Sequence, residues 1–266
     1  MPPLENSRAK LARATEHFDA LRDELRNQPD DGRFWKANPQ PLRGEVEREG
    51  REHALYLSLS EEPDLVQWGI WLGDGMHNLR CALDHAVYDL AIRASGKDPP
   101  PMERQLQFPI ADCPKKWTDS KWRIKPLRDD AERVICDAQP YNRPGELVTQ
   151  PLRLLRELDD ADKHRLIAPG LVGVQRGMFR ITPPIVPMAY QLPDMSHGLE
   201  NNTKIAWVLF AQPEPDVNVN FRVTLSVGVQ HDATQQGDTW SMIGEVVAFA
   251  GAEVGRIIEE LEALPV

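Results

Sequence analysis

The fold is decided by the stretch from Pro63 to Ser95, PDLVQWGIWLGDGMHNLRCALDHAVYDLAIRAS. Its apolar residues recur every three or four positions, which is the spacing of one face of an α-helix. This stripe consists of Leu65, Leu72, Met76, Leu79, Leu83, Val87 and Leu90. Ser60 and Pro63 form a helix-start signal, and Ser95-Gly96 followed by three prolines forms a stop signal. The sequence therefore predicts one long helix over about 63–95.

Three further segments show the same helical spacing on either side of this helix. They cover about 4–28, 145–160 and 239–262. Residues 27–42 are rich in turn-forming residues and include Phe34 and Trp35, which favours a loop held by aromatic side chains. Residues 96–144 contain many prolines and few periodic apolar positions around Phe108-Pro109-Ile110, so we expect an irregular excursion there.

Two segments have the pattern of β-strands. Residues 51–60 alternate in the two-residue period of a half-buried strand, and residues 166–231 contain apolar runs separated by Pro, Asn, Asp and Gly clusters. The second segment predicts a small antiparallel sheet of three to five strands. We therefore expect an α+β fold, with about four helices in residues 1–165 and 233–266 and a β-rich insertion at 166–232, acting as one structural unit.

Composition limits the possible functions. The chain has 266 residues, 41% of them hydrophobic and 27% charged, and a net charge of -10, which argues against a basic protein that coats nucleic acid. The start of the chain lacks an apolar signal region, and no run approaches the roughly 18 apolar residues of a membrane span. We therefore expect a cytoplasmic protein with no membrane partner. The three cysteines form no C-x-x-C pair and are expected to be reduced thiols.

The densest polar cluster, GDGMHNLRCALDH at residues 73–85, lies inside the long helix. Glycines and polar residues are costly in a helix unless they pack against something or have a function. Asp74, Asn78 and His85 fall within about 40° of one another on the face opposite the apolar stripe. Arg80 and Asp84, four residues apart, can form an ion pair with His77 nearby. The cluster indicates either a buried network that joins helices or a functional site.

A second charged cluster, DDADKHR at residues 159–165, follows the predicted helix over 145–160. Asp162, Lys163, His164 and Arg165 are supporting candidates for the same site. The alternative is a solvated turn, in which the three cations are favoured by the negative end of the helix.

The segment from Lys115 to Arg128 combines basic and aromatic residues. Such a segment can hold a single nucleic-acid strand through phosphate contacts and base stacking. The candidate nucleic-acid-binding residues are Lys116, Trp117, Lys121, Trp122 and Arg123. The alternative is that the two tryptophans anchor a plain surface loop to the core.

Four motifs resemble a family of bacterial proteins to which we can attach no function. They are GDGMHNLRCALDH at 73–85, QFPI at 107–110, AQPYN at 138–142 and LRLLRELDDADKHR at 152–165. The family pattern is GD-x-x-HNLR-x-ALDH followed by DKHR. The resemblance covers roughly residues 60–170.

The run from Arg80 to His85 also resembles the R-x4-6-H signature of HEPN-type helical ribonucleases, found in toxins and defence systems. This resemblance implies that His85 acts as general acid or base on a ribose 2'-hydroxyl and that Arg80 stabilises the phosphorane. Asn78 and Asp84 are the neighbouring catalytic candidates. It also implies RNA as substrate, no metal or other cofactor, and a homodimer. Two features depart from the pattern: Cys81 follows the arginine, and Arg80 lies about 140° around the helix from His85.

The sequence leaves two alternatives to a metal-independent endoribonuclease. One is a non-catalytic protein-interaction module. The other is a metal-dependent hydrolase, in which residues three or four apart on the helix bind one ion. The candidate pairs are Asp74 with His77 or Asn78, Cys81 with His85, and His85 with Asp89, completed by Asp162 or His164. The sequence has no G-x-S-x-G, G-x-x-x-x-G-K-[ST] or strand-bound G-x-G-x-x-G motif, which argues against a serine hydrolase and a nucleotide-binding protein.

Overall fold

The chain divides into two compact units. The computed structural model describes residues 4–26, 42–59, 64–143, 150–192, 198–199, 202–232 and 238–265. The helical unit consists of Met1–Leu21, Gly69–Ile167 and Gly244–Val266, and the β unit consists of Arg22–Trp68 and Ala168–Ile243. The predicted α+β class is confirmed. The structure differs from the predicted single unit, because strands before the long helix pair with strands from the later β-rich region.

The described residues form six α-helices. They are α1 (Glu5–Arg26), α2 (Leu65–Ser95), α3 (Pro114–Ser120), α4 (Asp129–Asp137), α5 (Pro151–His164) and α6 (Ile243–Glu262). Four of them correspond to the predicted helices. The expected irregular excursion at 96–144 instead contains α3, α4 and three short 3-10 helices, at Glu103–Gln105, Lys121–Ile124 and Pro140–Asn142.

The apolar stripe of α2 forms much of the core of the helical unit. Leu72, Met76 and Leu83 are fully buried. Gly96 has a φ of 66° and its amide donates to the Ile92 carbonyl at 2.8 Å, so it ends the helix in the left-handed conformation that glycine accepts. The predicted stop signal is therefore confirmed.

The two glycines of the polar cluster permit close packing. A Cβ added at Gly73 would overlap the carboxyl group of Asp162 on α5, and a Cβ added at Gly75 would overlap the ring of Phe18 on α1. Both glycines thus let another helix approach the backbone of α2.

The β unit contains eight strands within the described residues. They are β1 (Leu42–Glu49), β2 (Glu52–Leu59), β3 (Pro169–Thr182), β4 (Ala189–Gln191), β5 (Gly198–Leu199), β6 (Lys204–Leu209), β7 (Asn218–Asp232) and β8 (Asp238–Met242). They form two antiparallel four-stranded sheets, with orders β1-β2-β6-β4 and β5-β3-β7-β8. The expectation of one small inserted sheet was wrong in this respect, because β1 and β2 pair with β6.

Buried side chains of β6 and β7, with the segments next to those strands, form the core of the β unit. They are Val208, Phe210, Val217 and Val219, with Phe179, Ile181, Ile185 and Phe221 packed against them. The predicted start of the last helix at about 239 was wrong, because Asp238–Met242 pairs with β7 as an edge strand.

Several predictions fall outside the described residues. They concern the loop at 27–41 with Phe34 and Trp35, the start signal at 60–63 and the start of the predicted helix at 145–149. Within the described part of the chain, no helix has the length and apolar character needed to cross a membrane.

Candidate active site

A cleft of about 310 Å³ opens in the helical unit, lined by parts of α2, α3, α5 and residues 107–110. Three acidic residues, Asp119, Asp159 and Asp160, contribute to its wall. Five cationic side chains also line it: Arg80, Lys116, Arg123, Arg156 and Lys163. Because the whole chain carries a net charge of -10, this concentration of cations is a local exception. Such a cleft suits an anionic ligand.

Arg80 lines this cleft, and its position is fixed by hydrogen bonds. The residue is only 8% exposed. Its Nη2 donates to the Phe108 carbonyl at 2.6 Å and lies 3.2 Å from Asp84 Oδ1, so the predicted Arg80–Asp84 pair is present. Asp84 Oδ1 also accepts the Phe108 amide at 2.8 Å. Burial raises the pKa of Asp84, although Arg80 and the Phe108 amide both favour its charged form.

A buried glutamine holds the loop that forms one wall of the cleft. Gln139 is fully buried; its Oε1 accepts the Ala111 amide at 2.7 Å, and its Nε2 donates to the Pro109 carbonyl at 2.9 Å. Arg156 adds a hydrogen bond from Nη1 to the Ile110 carbonyl at 3.3 Å. The four motifs that carry the resemblance to the bacterial family therefore meet around this cleft.

Asp159 joins α5 to α2 beside the cleft. It is 1% exposed, its Oδ1 lies 3.0 Å from His77 Nδ1, and its Oδ2 accepts Lys163 Nζ at 2.6 Å. Burial works against the charge on Lys163, but the hydrogen bonds and charges of Asp159 and Asp160 raise its pKa. The interpretation of residues 159–165 as a solvated turn was wrong, because α5 continues to His164 and buries Asp159.

The histidine beside Asp159 also contacts a thiol. His77 Nε2 lies 3.4 Å from Cys81 Sγ, one helical turn further along α2. Since a carboxylate can only accept, Asp159 favours the tautomer of His77 that carries its proton on Nδ1. This tautomer leaves the Nε2 lone pair free to accept a proton, so His77 is set up to act as a base.

The structure brings some predicted site residues together and leaves others apart. His77 and Lys163 both contact Asp159, and Arg80 pairs with Asp84. Arg80, Asp159 and Lys163 line the same cleft. His85 is half-buried on α2 and is not among the residues that line the cleft. It is about 140° around the helix from Arg80.

The remaining candidates on α2 and α5 have mainly local partners. Asn78 Nδ2 donates to the Asp74 carbonyl at 2.8 Å, and its Oδ1 lies 3.5 Å from Lys10 Nζ. Asp74 is exposed, and its Oδ2 lies 3.9 Å from His17 Nδ1. Asp162 packs against Gly73, where burial and the charges of Asp74 and Asp159 raise its pKa. His164 and Arg165 are exposed at the end of α5.

The basic-aromatic segment has a buried and an exposed part. Trp117 is only 8% exposed and anchors α3, which fits the anchoring alternative for this residue. Trp122 is 46% exposed, and the Arg123 guanidinium lies 5.7 Å from the centre of its ring. Lys116 and Lys121 pair with Asp112 and Glu132. Trp122 is therefore the aromatic residue of the segment that a ligand can reach.

Two residues of the site were not among the sequence candidates. Arg156 lines the cleft and pairs with Asp112 at 3.1 Å, and Asp159 orients His77. The sequence contains a signal that Asp159 is buried. Asp159 follows Leu152 by seven residues and Leu155 by four, which places it on the apolar face of α5. An acid in a buried stripe indicates a partner on another helix.

Comparison with known proteins gave no match. Scans against protein-family models, characterised proteins and solved structures found no match. The metal alternative also gains no support, since the described ranges hold no group of three or more His, Cys, Asp or Glu residues arranged to bind an ion.

Proposed function

We propose that this protein is a metal-independent endoribonuclease whose phosphate site is the cleft beside Arg80. The main support is the state of Arg80, a nearly buried guanidinium that Asp84 and the Phe108 carbonyl hold in place. A guanidinium fixed in this way can bind phosphate oxygens with little loss of side-chain entropy. Four further cations line the same cleft and favour a polyanion over a neutral ligand.

His77 is the histidine best placed to act as the base. It precedes Arg80 by three residues on α2 and shares Asp159 with the cleft. His77 Nε2 would take the proton of a ribose 2'-hydroxyl, and the 2'-oxygen would attack the adjacent phosphorus. Arg80 would stabilise the negative charge of the phosphorane, and Lys163, which Asp159 and Asp160 hold in its charged form, would add to this stabilisation. The departing 5'-oxygen would take a proton from solvent water. The products would be a 2',3'-cyclic phosphate and a free 5'-hydroxyl.

The HEPN resemblance assigns the acid-base role to His85 instead. In that arrangement the two chains of a homodimer would complete the site. The homodimer and a cytoplasmic location are part of the same proposal. The two histidines therefore provide a direct comparison. Neither is itself among the residues lining the cleft, but His77 contacts Asp159, which is one of them. Exposed Trp122 supports a single-stranded substrate, because its ring is available to stack on a base.

The test is cleavage of an end-labelled single-stranded RNA by the purified full chain in excess EDTA. We expect the parent to cleave, His77→Ala to lose about 10²-fold or more, and Arg80→Lys to lose on the order of 10²-fold. His85→Ala is the matched histidine control and should retain activity within a few-fold. Arg13→Ala controls for the removal of a surface cation on α1. Circular dichroism of each variant checks that it is folded.

The outcomes distinguish the candidate mechanisms. Loss of cleavage in His85→Ala but not in His77→Ala would transfer the acid-base role to His85 and favour the HEPN-like arrangement. Equal cleavage by the parent and all variants indicates a contaminating nuclease. A folded parent that neither cleaves nor binds RNA would remove the ribonuclease and leave a protein-interaction module as the better proposal.

A further inference from the structure

Three side chains beside the cleft have the arrangement of a nucleophile, a base and an orienting acid. Cys81 Sγ lies 3.4 Å from His77 Nε2, and His77 Nδ1 lies 3.0 Å from Asp159 Oδ1. The contacts use opposite nitrogens of the imidazole, so the thiol and the carboxylate do not compete. The ribonuclease proposed above has no use for the thiol.

The carboxylate of this group is well fixed. Asp159 is 1% exposed, and Lys163 Nζ donates to its second oxygen at 2.6 Å. Both oxygens of the carboxylate therefore have partners, which restricts its rotation and holds the His77 ring in one orientation. Cys81 and His77 belong to the same helix at positions i and i+4, so the helix backbone sets their separation.

The other two cysteines do not have this arrangement. Cys136 Sγ contacts the Tyr141 hydroxyl at 3.4 Å and also lies 3.8 Å from Asn142 Nδ2. Cys113 precedes α3 as its N-terminal cap residue. All three thiols are half-buried, so they offer an internal comparison at similar exposure.

We propose that Cys81, His77 and Asp159 form a reactive group that shares His77 and Asp159 with the proposed ribonuclease site. In this group the Cys81 thiol attacks an activated acyl group of a thioester or ester. The thiol proton moves to His77 Nε2 while Sγ forms a bond to the carbonyl carbon. The bond from that carbon to the leaving sulfur or oxygen then breaks, and His77 returns the proton to the leaving group. Water, deprotonated by His77, hydrolyses the acyl-cysteine and releases the carboxylic acid and the free thiol.

The local electrostatics explain why the base is required. Burial raises the pKa of the Cys81 thiol, Lys10 and Arg80 oppose this, and Asp84 and Asp159 add to it. The thiol is therefore the resting form, and attack depends on transfer of its proton to His77 during the reaction. The His77 side chain is 52% exposed and Cys81 is partly exposed, so a small acyl donor can approach the pair from solvent.

The experiment incubates the full chain with p-nitrophenyl acetate, or separately with a small acetyl thioester, and locates the acetyl group by mass spectrometry of peptides. The result expected is acylation of Cys81 at least about 10-fold faster than that of Cys113 or Cys136, followed by slow release. This assay contains no RNA, so its outcome does not depend on the proposed ribonuclease. Acylation of Cys81 at the same rate as the other two thiols would overturn the proposal.

Variants show whether Cys81 reacts because His77 acts as its base or only because the thiol is exposed. His77→Ala should slow acylation of Cys81 by about 10²-fold or more. His17→Ala, which removes a histidine from α1, serves as the matched control. Asp159 is a positioning residue, so Asp159→Asn should also shift the pH profile of acylation towards that of an unassisted thiol. If a variant unfolds, the comparison within the parent still decides, because without assistance by His77 the acylation of Cys81 would be no faster than that of Cys113 and Cys136.

Discussion

At the scale of single residues, the packing of α2 depends on the absence of a side chain at two positions. Phe18 occupies the space that a β-carbon would need at Gly75, and Asp162 does so at Gly73. Gly251 on α6 is the contrasting case, since a Cβ there would meet nothing within 4 Å. Replacement of glycine by alanine should therefore change the free energy of unfolding in opposite directions at the two kinds of position.

We expect Gly75→Ala to lower the free energy of unfolding by about 1–3 kcal/mol, because the buried ring of Phe18 must move. Gly251→Ala should raise it by up to about 1 kcal/mol, since alanine is the better helix former and has room. Urea denaturation followed by circular dichroism measures both. A Gly75→Ala variant as stable as Gly251→Ala would show that Phe18 has another position available.

Residue spacing allowed part of the candidate site to be predicted. The Arg80–Asp84 pair follows from positions i and i+4 on one helix, and the structure contains it. The contact between His77 and Asp159 joins residues 82 positions apart, which no local pattern specifies. Asp159 was also grouped with the charged residues that follow the predicted helix, so its position on the buried face was overlooked.

At the scale of elements, the long helices were predictable because each repeats its apolar stripe over several turns. Helices α3 and α4, with 7 and 9 residues, are too short to show such a repeat. Strand β1 has the sequence LRGEVERE, in which charged residues hide the alternation. Strand β8 was merged with α6 because Trp240 precedes Ile243 by three residues, which fits helical spacing, and pairing with β7 overrides that local pattern.

In the β unit, a buried histidine on β2 should make stability depend on pH. His53 is 1% exposed, packs edge-on against Phe210, and its Nδ1 has no hydrogen-bond partner among the described residues. Burial and the nearby charge of Arg48 lower its pKa. The unfolded chain therefore binds the proton more readily than the folded one, and stability falls as pH drops below about 6.5.

We expect protonation of one such histidine to lower the free energy of unfolding by at most about 1.4 kcal/mol between pH 7.5 and 5.5. His53→Leu should show a smaller decrease over this range and little loss of stability at pH 7.5, because it removes a buried polar atom without a partner. Urea midpoints at the two pH values measure the difference, with His164→Leu as the control for an exposed histidine. Equal pH dependence in the parent and His53→Leu would contradict this assignment.

At the scale of the whole molecule, the net charge of -10 opposes approach of a polyanion, whereas the cations of the cleft favour its binding. At about 0.1 M salt, charges more than about 10 Å apart are largely screened, so the contacts inside the cleft dominate. The affinity for single-stranded RNA should then depend on salt according to the number of phosphates in the cleft.

We expect each phosphate contact to contribute a slope of about -0.7 in a plot of log affinity against log salt concentration. Lys116→Ala should reduce the magnitude of the slope by about that amount, because Lys116 lines the cleft. Arg13→Ala, on α1, should leave it unchanged. Fluorescence anisotropy with a labelled RNA gives the slopes. The same slope in all three proteins would mean that RNA binds elsewhere.

The packing of Asp162 against Gly73 also restricts how this sequence can evolve. A β-carbon at position 73 would occupy the space of the Asp162 carboxyl group. A side chain at 73 therefore requires the Asp162 carboxyl group to move, unless residue 162 has first become smaller. The order of substitutions at these two positions is therefore constrained, although they lie 89 positions apart along the chain.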